Sequence, residues 1–165
     1  LDAEKIARGL HSFESNANSV PGRFNQFQHN GATVIADYGH NPDAMRALTS
    51  AIEAMKPNKS HVVISGAGDR RDEDIRDLTR ILGNAFDNVI LYQDACQRGR
   101  EDGEVLKLLQ EGLVGATRAK QVKEIYGEFL AIDTALSEVS EGDICLILID
   151  QVEESLAYLK EKVQP

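Results

Sequence analysis

The chain has 165 residues, 42% of them hydrophobic, with 18 basic and 27 acidic side chains and a formal net charge of −9. This length and composition predict one globular domain with a single core. The acidic balance repels nucleic-acid phosphates and anionic lipid, so we expect no nucleic-acid or membrane partner. No apolar run approaches the roughly 20 residues that span a bilayer, and the sequence shows no signal peptide.

The two cysteines, Cys96 and Cys145, are far apart and form neither a CxxC pair nor part of a His-rich cluster. We therefore expect no metal site, and a reducing, cytoplasmic compartment. No arrangement of His and orienting group surrounds Cys96 or any serine, which argues against nucleophilic catalysis.

The N-terminal part of the chain is predicted to be a linker. Apolar residues at helical spacing predict a short helix over Leu1–Phe13, with Asp2 as a plausible N-cap. We assign residues 1–20 to this helix and a connection, and residues 21–165 to an α/β core.

The core is predicted to open with an antiparallel hairpin. Strands Phe24–Gln28 and Ala32–Asp37 flank Asn30-Gly31, the pair that type I′ hairpin turns favour.

Strands and helices then alternate, which predicts a Rossmann-like α/β fold. The sheet is expected to be mostly parallel, with about six strands including the N-terminal antiparallel hairpin strand, and with helices on both faces. The apolar and polar residues of Lys120–Ile125 alternate, which places that strand at an edge. The other predicted strands are His61–Ser65, Asn88–Tyr92 and Ile144–Ile149, and the predicted helices lie near Pro42–Met55, Glu73–Ala85, Gly103–Leu113, Glu128–Val139 and Val152–Val163.

Ligands of open α/β sheets gather at the carboxyl ends of the strands, so the loops that follow the strands are the candidate site. These loops are Asp37–Asn41, Gly66–Asp72, Asp94–Asp102 and Asp150–Glu153. The loop Asp37–Asn41 presents a carboxylate, an imidazole and an amide just before a helix, suited to a nucleotide or a partner domain. Alternatively, Asp37 and Asn41 cap the helix and His40 is a satisfied surface residue.

A second loop, Gly66–Asp72, is glycine-rich, and its Arg70 and Arg71 are suited to a carboxylate or a phosphate. It matches neither a P-loop nor the dinucleotide fingerprint, so a nicotinamide cofactor is not expected. Alternatively, these arginines belong to a solvated helix start and form local ion pairs with Asp72 and Asp74.

A third loop, Asp94–Asp102, presents Arg98 and Arg100 to a carboxylate and its own acids to a basic substrate. A mobile surface loop is the alternative.

Taken together, these motifs resemble the C-terminal domain of the Mur ligase family over nearly the whole chain. The resemblance rests on Pro21-Gly22-Arg23-Phe24, the hairpin, and Asp37-Tyr38-Gly39-His40-Asn41-Pro42. Within the family, Gly68–Ile75 and Gln97–Arg100 are most similar to the cyanophycin synthetases. The resemblance implies an ATP-dependent ligase that activates a carboxylate as an acyl phosphate for attack by an amino acid, which in that group is arginine added to poly-aspartate.

The resemblance also implies roles for individual residues. Arg23 and Asp37 are implied to bind ATP, with Asp37 on the ribose hydroxyls. The residues implied to face the cleft or the substrate are His40, Asn41, Asp69, Arg70, Arg71 and Arg98.

The chain contains no Gly-x-x-x-x-Gly-Lys-Ser/Thr loop to hold a transferred phosphate. We therefore expect no catalytic residue in this domain alone, with Mg²⁺ held mainly by a central ATPase domain of the same polypeptide. The expected substrates are an amino acid, arginine by the resemblance, and an acidic peptide or polymer. Another Mur-type ligase, of peptidoglycan-precursor or polyglutamate type, and a non-catalytic binding or assembly module remain alternatives, and a homo-oligomer remains open.

Overall fold

The computed structural model describes residues 20–163, so the helix predicted over Leu1–Phe13 lies outside the described residues. The strands are β1 (Asn25–His29), β2 (Ala32–Asp37), β3 (Ser60–Ile64), β4 (Asn88–Gln93), β5 (Gln121–Tyr126) and β6 (Ile144–Leu148). The helices are α1 (Pro42–Ala54), α2 (Asp72–Gly83), α3 (Glu104–Leu113), α4 (Glu128–Glu138) and α5 (Val152–Lys162). Over this part of the chain, no helix has both the length and the apolar character to cross a bilayer.

The six strands form one sheet in the order β1-β2-β6-β3-β4-β5. Strand β1 pairs antiparallel with β2, and every other neighbouring pair is parallel. The predicted fold class is therefore confirmed, including the number of strands and the antiparallel hairpin.

Helices cover both faces of the sheet, because its central strands are apolar on both sides. In β6, Cys145 and Ile147 pack into the core under α4 and α5, whereas Leu146 and Leu148 pack into the core under α1, α2 and α3. All five residues of β3 and of β6 are buried. Such strands need a helical layer on each face, which the alternating connections supply.

The hairpin turn has the predicted chemistry. Asn30 and Gly31 have φ of 51° and 79°, the left-handed values that a type I′ turn requires. The register places Asn25 opposite Ala36, so the hairpin returns the residues before β1 to the end of β2. Arg23 and Asp37 thereby lie at one edge of the sheet although 14 positions separate them in sequence.

The predicted edge strand is also confirmed. β5 is the last strand in the order, and five of its six residues are exposed. The predicted element ends differ from the observed ones by at most two residues.

The carboxyl ends of β2, β3 and β6 meet at a topological switch point. Helix α1 leads from β2 past β6 to β3 on one face of the sheet, and α4 leads from β5 back to β6 on the other face. The connections diverge there, which opens the crevice in which α/β proteins bind ligands.

Candidate functional site

Asp37 is the last residue of β2. Its side chain connects the segment before β1 to the loop after β2. Its Oδ2 accepts a hydrogen bond from Phe24 N (2.8 Å), and its Oδ1 accepts one from Gly39 N (2.6 Å). The side chain is 7% exposed. Asp37 therefore fastens the start of the hairpin to the loop after β2, and each oxygen keeps capacity for a further donor.

Asn41 is the N-cap of α1, because its Oδ1 accepts a hydrogen bond from Ala44 N at 2.9 Å. The capping alternative is thus correct for Asn41 and wrong for Asp37, whose carboxylate binds the loop instead. The His40 Nδ1 lies 2.9 Å from the Tyr38 carbonyl oxygen. A carbonyl can only accept, so Nδ1 carries the proton, and Nε2 of the half-buried ring has no hydrogen-bond partner among residues 20–163.

Arg23 lies on the same edge. Its guanidinium carbon is 5.9 Å from the centre of the Tyr38 ring, and the Tyr38 ring is 4.9 Å from the His40 ring, centre to centre. Tyr38 N donates a hydrogen bond to the Gly22 carbonyl at 2.9 Å. These contacts arrange Arg23, Tyr38 and His40 side by side along the mouth of the crevice.

The second and third loops are held together by Arg100. Its guanidinium donates to two backbone carbonyls of the second loop, those of Gly68 (2.7 Å) and Arg70 (2.6 Å), and pairs with Asp72 (2.8 Å). Arg100 is thus a structural residue, and the alternative of a purely solvent-facing third loop is wrong for it. Gly68 permits this approach, since a Cβ there would lie 2.1 Å from the Gln97 carbonyl oxygen.

Arg98 lies within a group of carboxylates drawn from three strand ends. Its guanidinium is 3.2 Å from Asp150 Oδ1, after β6, and 3.5 Å from Asp69 Oδ1, after β3. The carboxylate of Asp94, directly after β4, lies close enough to that of Asp150 to raise the pKa of Asp150. The backbone of Arg98 has φ of 49°, a costly conformation for a residue with a Cβ. We call Asp69, Asp94 and Asp150 the acidic triad.

The pKa of Asp150 is raised from 3.8 to about 6, first by burial and then by its hydrogen bond to Asp94 and the Asp94 charge, against the opposing charge of Arg98. The folded state therefore binds a proton more tightly than the unfolded state. The contribution of Asp150 to stability is greatest below the unfolded pKa and is lost as the pH rises through about 6.

We predict that Asp150→Asn raises the free energy of unfolding at neutral pH. The gain is on the order of 1 kcal/mol, since solvent partly screens the group, and it disappears towards pH 4. Urea denaturation across this pH range measures it, with Asp77→Asn on α2 as control. An equal effect of Asp150→Asn at every pH contradicts the prediction.

The two arginines of the second loop differ from Arg98. Arg71 pairs with Asp74 through two hydrogen bonds of 2.8 Å, and 84% of its side chain is exposed. This is the local ion pair at a helix start that the sequence offered as an alternative. The exposed Arg70 guanidinium forms no ion pair or hydrogen bond with residues 20–163. Roles for both in substrate binding stay predictions.

A small cavity of about 20 Å³ marks the switch point. It has room for about one water molecule, so a larger ligand lies across the surrounding loops. The Ser65 hydroxyl, which has no hydrogen-bond partner in the described part of the chain, is on its wall. The rest of the lining comes from the loops after β2, β3 and β6 and from residues near the ends of β4 and β6, namely Tyr38, Gly39, His40, Gly66, Ala67, Tyr92, Leu148, Ile149 and Asp150.

A concavity of about 880 Å³ lies at the opposite, amino edge of the sheet. His61 is buried in its wall, with Nε2 3.3 Å from Asp143 and Nδ1 3.2 Å from Asn88. Asp143 also accepts hydrogen bonds from the backbone N–H groups of Lys59 and Ser140. These groups satisfy one another and tie the strand ends together, so we place the functional site at the carboxyl edge.

The two cysteines lie in different environments. Cys145 is buried in β6, and burial, with the charge of Glu138, raises the pKa of its thiol to about 12. Cys96 is exposed in the third loop.

The parallel sheet, the crevice at its switch point and the ionisable residues around it define an α/β domain whose candidate ligand site is at the carboxyl edge. The chain belongs to the Mur ligase family, whose description, "Mur ligase, glutamate ligase domain", matches residues 22–148. It is the C-terminal domain of such ligases, as the sequence motifs predicted.

Curated relatives agree with this assignment. A cyanophycin synthetase of Geminocystis herdmanii is 35% identical over 161 residues, which cover 98% of this chain and 18% of the relative. A UDP-N-acetylmuramoyl-L-alanyl-D-glutamate–2,6-diaminopimelate ligase of Zymomonas mobilis is 40% identical over 121 residues, which cover 72% of this chain and 23% of the relative. The chain thus spans about a fifth of the length of these relatives.

Solved structures show the same fold. A bifunctional folylpolyglutamate synthase/dihydrofolate synthase of Yersinia pestis, complexed with AMPPNP and Mn ion, has a TM-score of 0.73 and 23% identity, covering 97% of this chain and 35% of that one. A diaminopimelate ligase of the Mur type has a TM-score of 0.71 and 18% identity, covering 98% of this chain and 35% of that one.

Asp94 and Asp150 were not among the predicted site residues, although each stands in a loop that was. Both closely follow a buried strand, and that position was the available signal. Asp37, His40, Asn41, Asp69, Arg70, Arg71 and Arg98 all lie on loops at the carboxyl edge, and Arg23 joins them through the hairpin.

Proposed function

We propose that this domain supplies nucleotide and amino-acid contacts to an ATP-dependent ligase that joins a carboxylate to an amino acid. A central ATPase domain of the same polypeptide provides the P-loop and most of the Mg²⁺ contacts. The domain alone is inactive in this proposal, since its sequence has no P-loop. When bound, ATP supplies the phosphoryl group that activates the acceptor carboxylate.

Arg23 and Asp37 fit the role of nucleotide contacts. Arg23 is exposed beside the crevice and is suited to phosphate or to stacking on a base. Each Asp37 oxygen accepts one backbone hydrogen bond and retains a lone pair for a ribose hydroxyl. His40 Nε2 faces the same opening, where closure of the central domain excludes water from the reacting groups.

Our assignment of the amino acid rests on the acidic triad. The Arg98 guanidinium pairs with Asp69 and Asp150, and Asp94 adds a third carboxylate beside Asp150. Guanidinium groups pair best with carboxylates placed on more than one side. The three carboxylates of the triad carry more negative charge than Arg98 neutralises. A second cationic group, supplied by the ligand, can therefore bind to them. We therefore propose arginine as the incoming amino acid, added to an acidic polymer such as poly-aspartate.

A ligase that adds diaminopimelate is the second candidate, favoured by the 40% identity to the Zymomonas mobilis enzyme. Its amino acid would also bring a cation to the triad, but one of ammonium type without the planar fork of a guanidinium. Competition between arginine and diaminopimelate separates the two candidates.

The amino-acid assignment is tested in the longer polypeptide by steady-state kinetics. Asp94→Asn and Asp150→Asn are expected to raise the KM for arginine about tenfold, as the loss of one charge-assisted pair predicts, with little change in kcat. Asp77→Asn, at a half-buried carboxylate on α2 that pairs with Arg80, is the matched control. An unchanged KM in both triad variants would remove arginine recognition from this site.

A further inference from the structure

Glu128, the first residue of α4, is a buried acid outside the predicted site. It is 3% exposed. Its carboxylate accepts hydrogen bonds from the loop after β6 and from the first turn of α5. Oε1 accepts from Ser155 Oγ (2.6 Å) and Asp150 N (3.0 Å), and Oε2 accepts from Gln151 N (3.2 Å). The carboxylate thus bridges the start of α4 to the start of α5.

No lysine or arginine of the described chain forms an ion pair with Glu128. A buried carboxylate is costly unless hydrogen bonds and favourable dipoles compensate it. Here the compensation comes from backbone N–H groups and a hydroxyl at the N-terminus of α5, where the helix dipole also favours a negative charge. These bonds fix the backbone at Asp150 and Gln151.

We propose that Glu128 is a positioning residue for the cationic amino-acid site. It holds the loop after β6 so that the Asp150 carboxylate faces Asp94 and Arg98. The inference rests on the proposed function for the identity of the ligand, whereas the loop geometry is independent of it. Glu128 acts on the site through the backbone that it holds and through its charge.

The negative charge of Glu128 also affects Asp150, in addition to the hydrogen bonds that hold the loop after β6. It adds to the negative charges that raise the pKa of Asp150, after burial and Asp94. It also raises the pKa of the buried Tyr92, second to burial and together with Asp150 and Asp94. The acids therefore converge on one small volume in which a cation is stabilised.

The test uses Glu128→Gln, which keeps the size of the side chain and one acceptor oxygen but removes the charge. NMR titration of the Asp150 carboxyl carbon in the ligand-free chain is expected to give a lower pKa than in the wild type. Both the freed loop and the lost charge favour ionisation of Asp150. Glu138→Gln, at the other end of α4 and paired with Lys123, is the control and is expected to leave the pKa of Asp150 unchanged.

Two further measurements complete the test. In the wild-type chain, the amides of Asp150 and Gln151 are expected to exchange hydrogen at least about a hundredfold more slowly than the amide of the exposed Cys96, as hydrogen-bonded loop amides do. In the longer polypeptide, Glu128→Gln is expected to raise the KM for arginine with kcat nearly unchanged.

The outcomes separate the two proposals. If Asp94→Asn and Asp150→Asn both leave the KM for arginine unchanged, the amino-acid assignment fails, while the pKa of Asp150 in the ligand-free chain still decides the role of Glu128. An unchanged pKa of Asp150 in a folded Glu128→Gln variant, or exchange of its amide as fast as that of Cys96, overturns the positioning role. A changed pKa with an unaltered KM, where Asp150→Asn does raise the KM, overturns it as well.

Discussion

Replacing Gly68 with alanine is expected to lower the free energy of unfolding by about 3 kcal/mol, as insertion of a methyl group into a closed contact does. The new Cβ would lie 2.1 Å from the Gln97 carbonyl oxygen, which is backbone and cannot turn aside. The second and third loops must separate, which breaks the hydrogen bond from Arg100 to the Gly68 carbonyl. Urea denaturation of the variant measures the loss.

The same change is expected to impair function, because it separates Asp69 on one loop from Arg98 on the other. Binding of the amino acid is predicted to weaken more than binding of ATP. Ala95→Ser, at an exposed position of the third loop, is the control and is expected to alter stability by less than about 0.5 kcal/mol. Wild-type stability in Gly68→Ala would show that the two loops do not pack as described.

The second large effect is expected for Asp37→Ala, which is predicted to lower the free energy of unfolding by about 2 kcal/mol through two unsatisfied N–H groups. These belong to Phe24 and Gly39, which donate to the two carboxylate oxygens. The variant frees the start of the hairpin from the loop after β2. In the longer polypeptide, it is also expected to raise the KM for ATP, because the ribose contact is lost.

Asp43→Ala is the matched control for this variant. Asp43 lies six residues further on, and its side chain is 97% exposed in a surface pair with Arg46, so its loss is expected to change stability by less than about 0.5 kcal/mol. If Asp37→Ala is as stable as Asp43→Ala, the hydrogen bonds of Asp37 do not stabilise the attachment of the hairpin to the loop after β2. If it is destabilised but binds ATP normally, Asp37 has a structural role alone.

The architecture was largely predictable because local patterns determine it. The continuous apolar run of β6 requires helices on both faces, and Asn30-Gly31 specifies the hairpin turn. The ends of elements shifted by a residue or two, because hydrogen bonds made in the folded chain decide where a helix or strand stops. The N-cap at Asn41 is another local feature that could be predicted from the sequence.

The sequence predicted which loops form the site but not the contacts between those loops. The resemblance to the Mur ligases named Arg23, Asp37 and Arg98, all of which lie on the carboxyl edge. It did not single out Asp150, whose environment arises from Asp94 and Arg98 on a different loop. Charge spacing along the chain likewise does not distinguish Arg71, which pairs with its own helix, from Arg98, which reaches two other loops. Contacts between distant segments depend on the tertiary fold.

Glu128 was the least predictable residue. An acid in the first turn of a helix normally faces solvent, where it interacts favourably with the helix dipole. Its burial follows from the position of α5 beside α4, which brings Ser155 and the backbone of Gln151 to its carboxylate.

The most direct test of the ligase assignment is the incorporation of labelled arginine into a poly-aspartate primer by the longer polypeptide, with and without ATP. Diaminopimelate, lysine and glutamate serve as competing amino acids. We predict ATP-dependent incorporation of arginine in preference to the other three, and its loss in Asp37→Ala. Robust ATP-dependent use of another amino acid without incorporation of arginine would contradict it and assign the domain to a different Mur-type ligase.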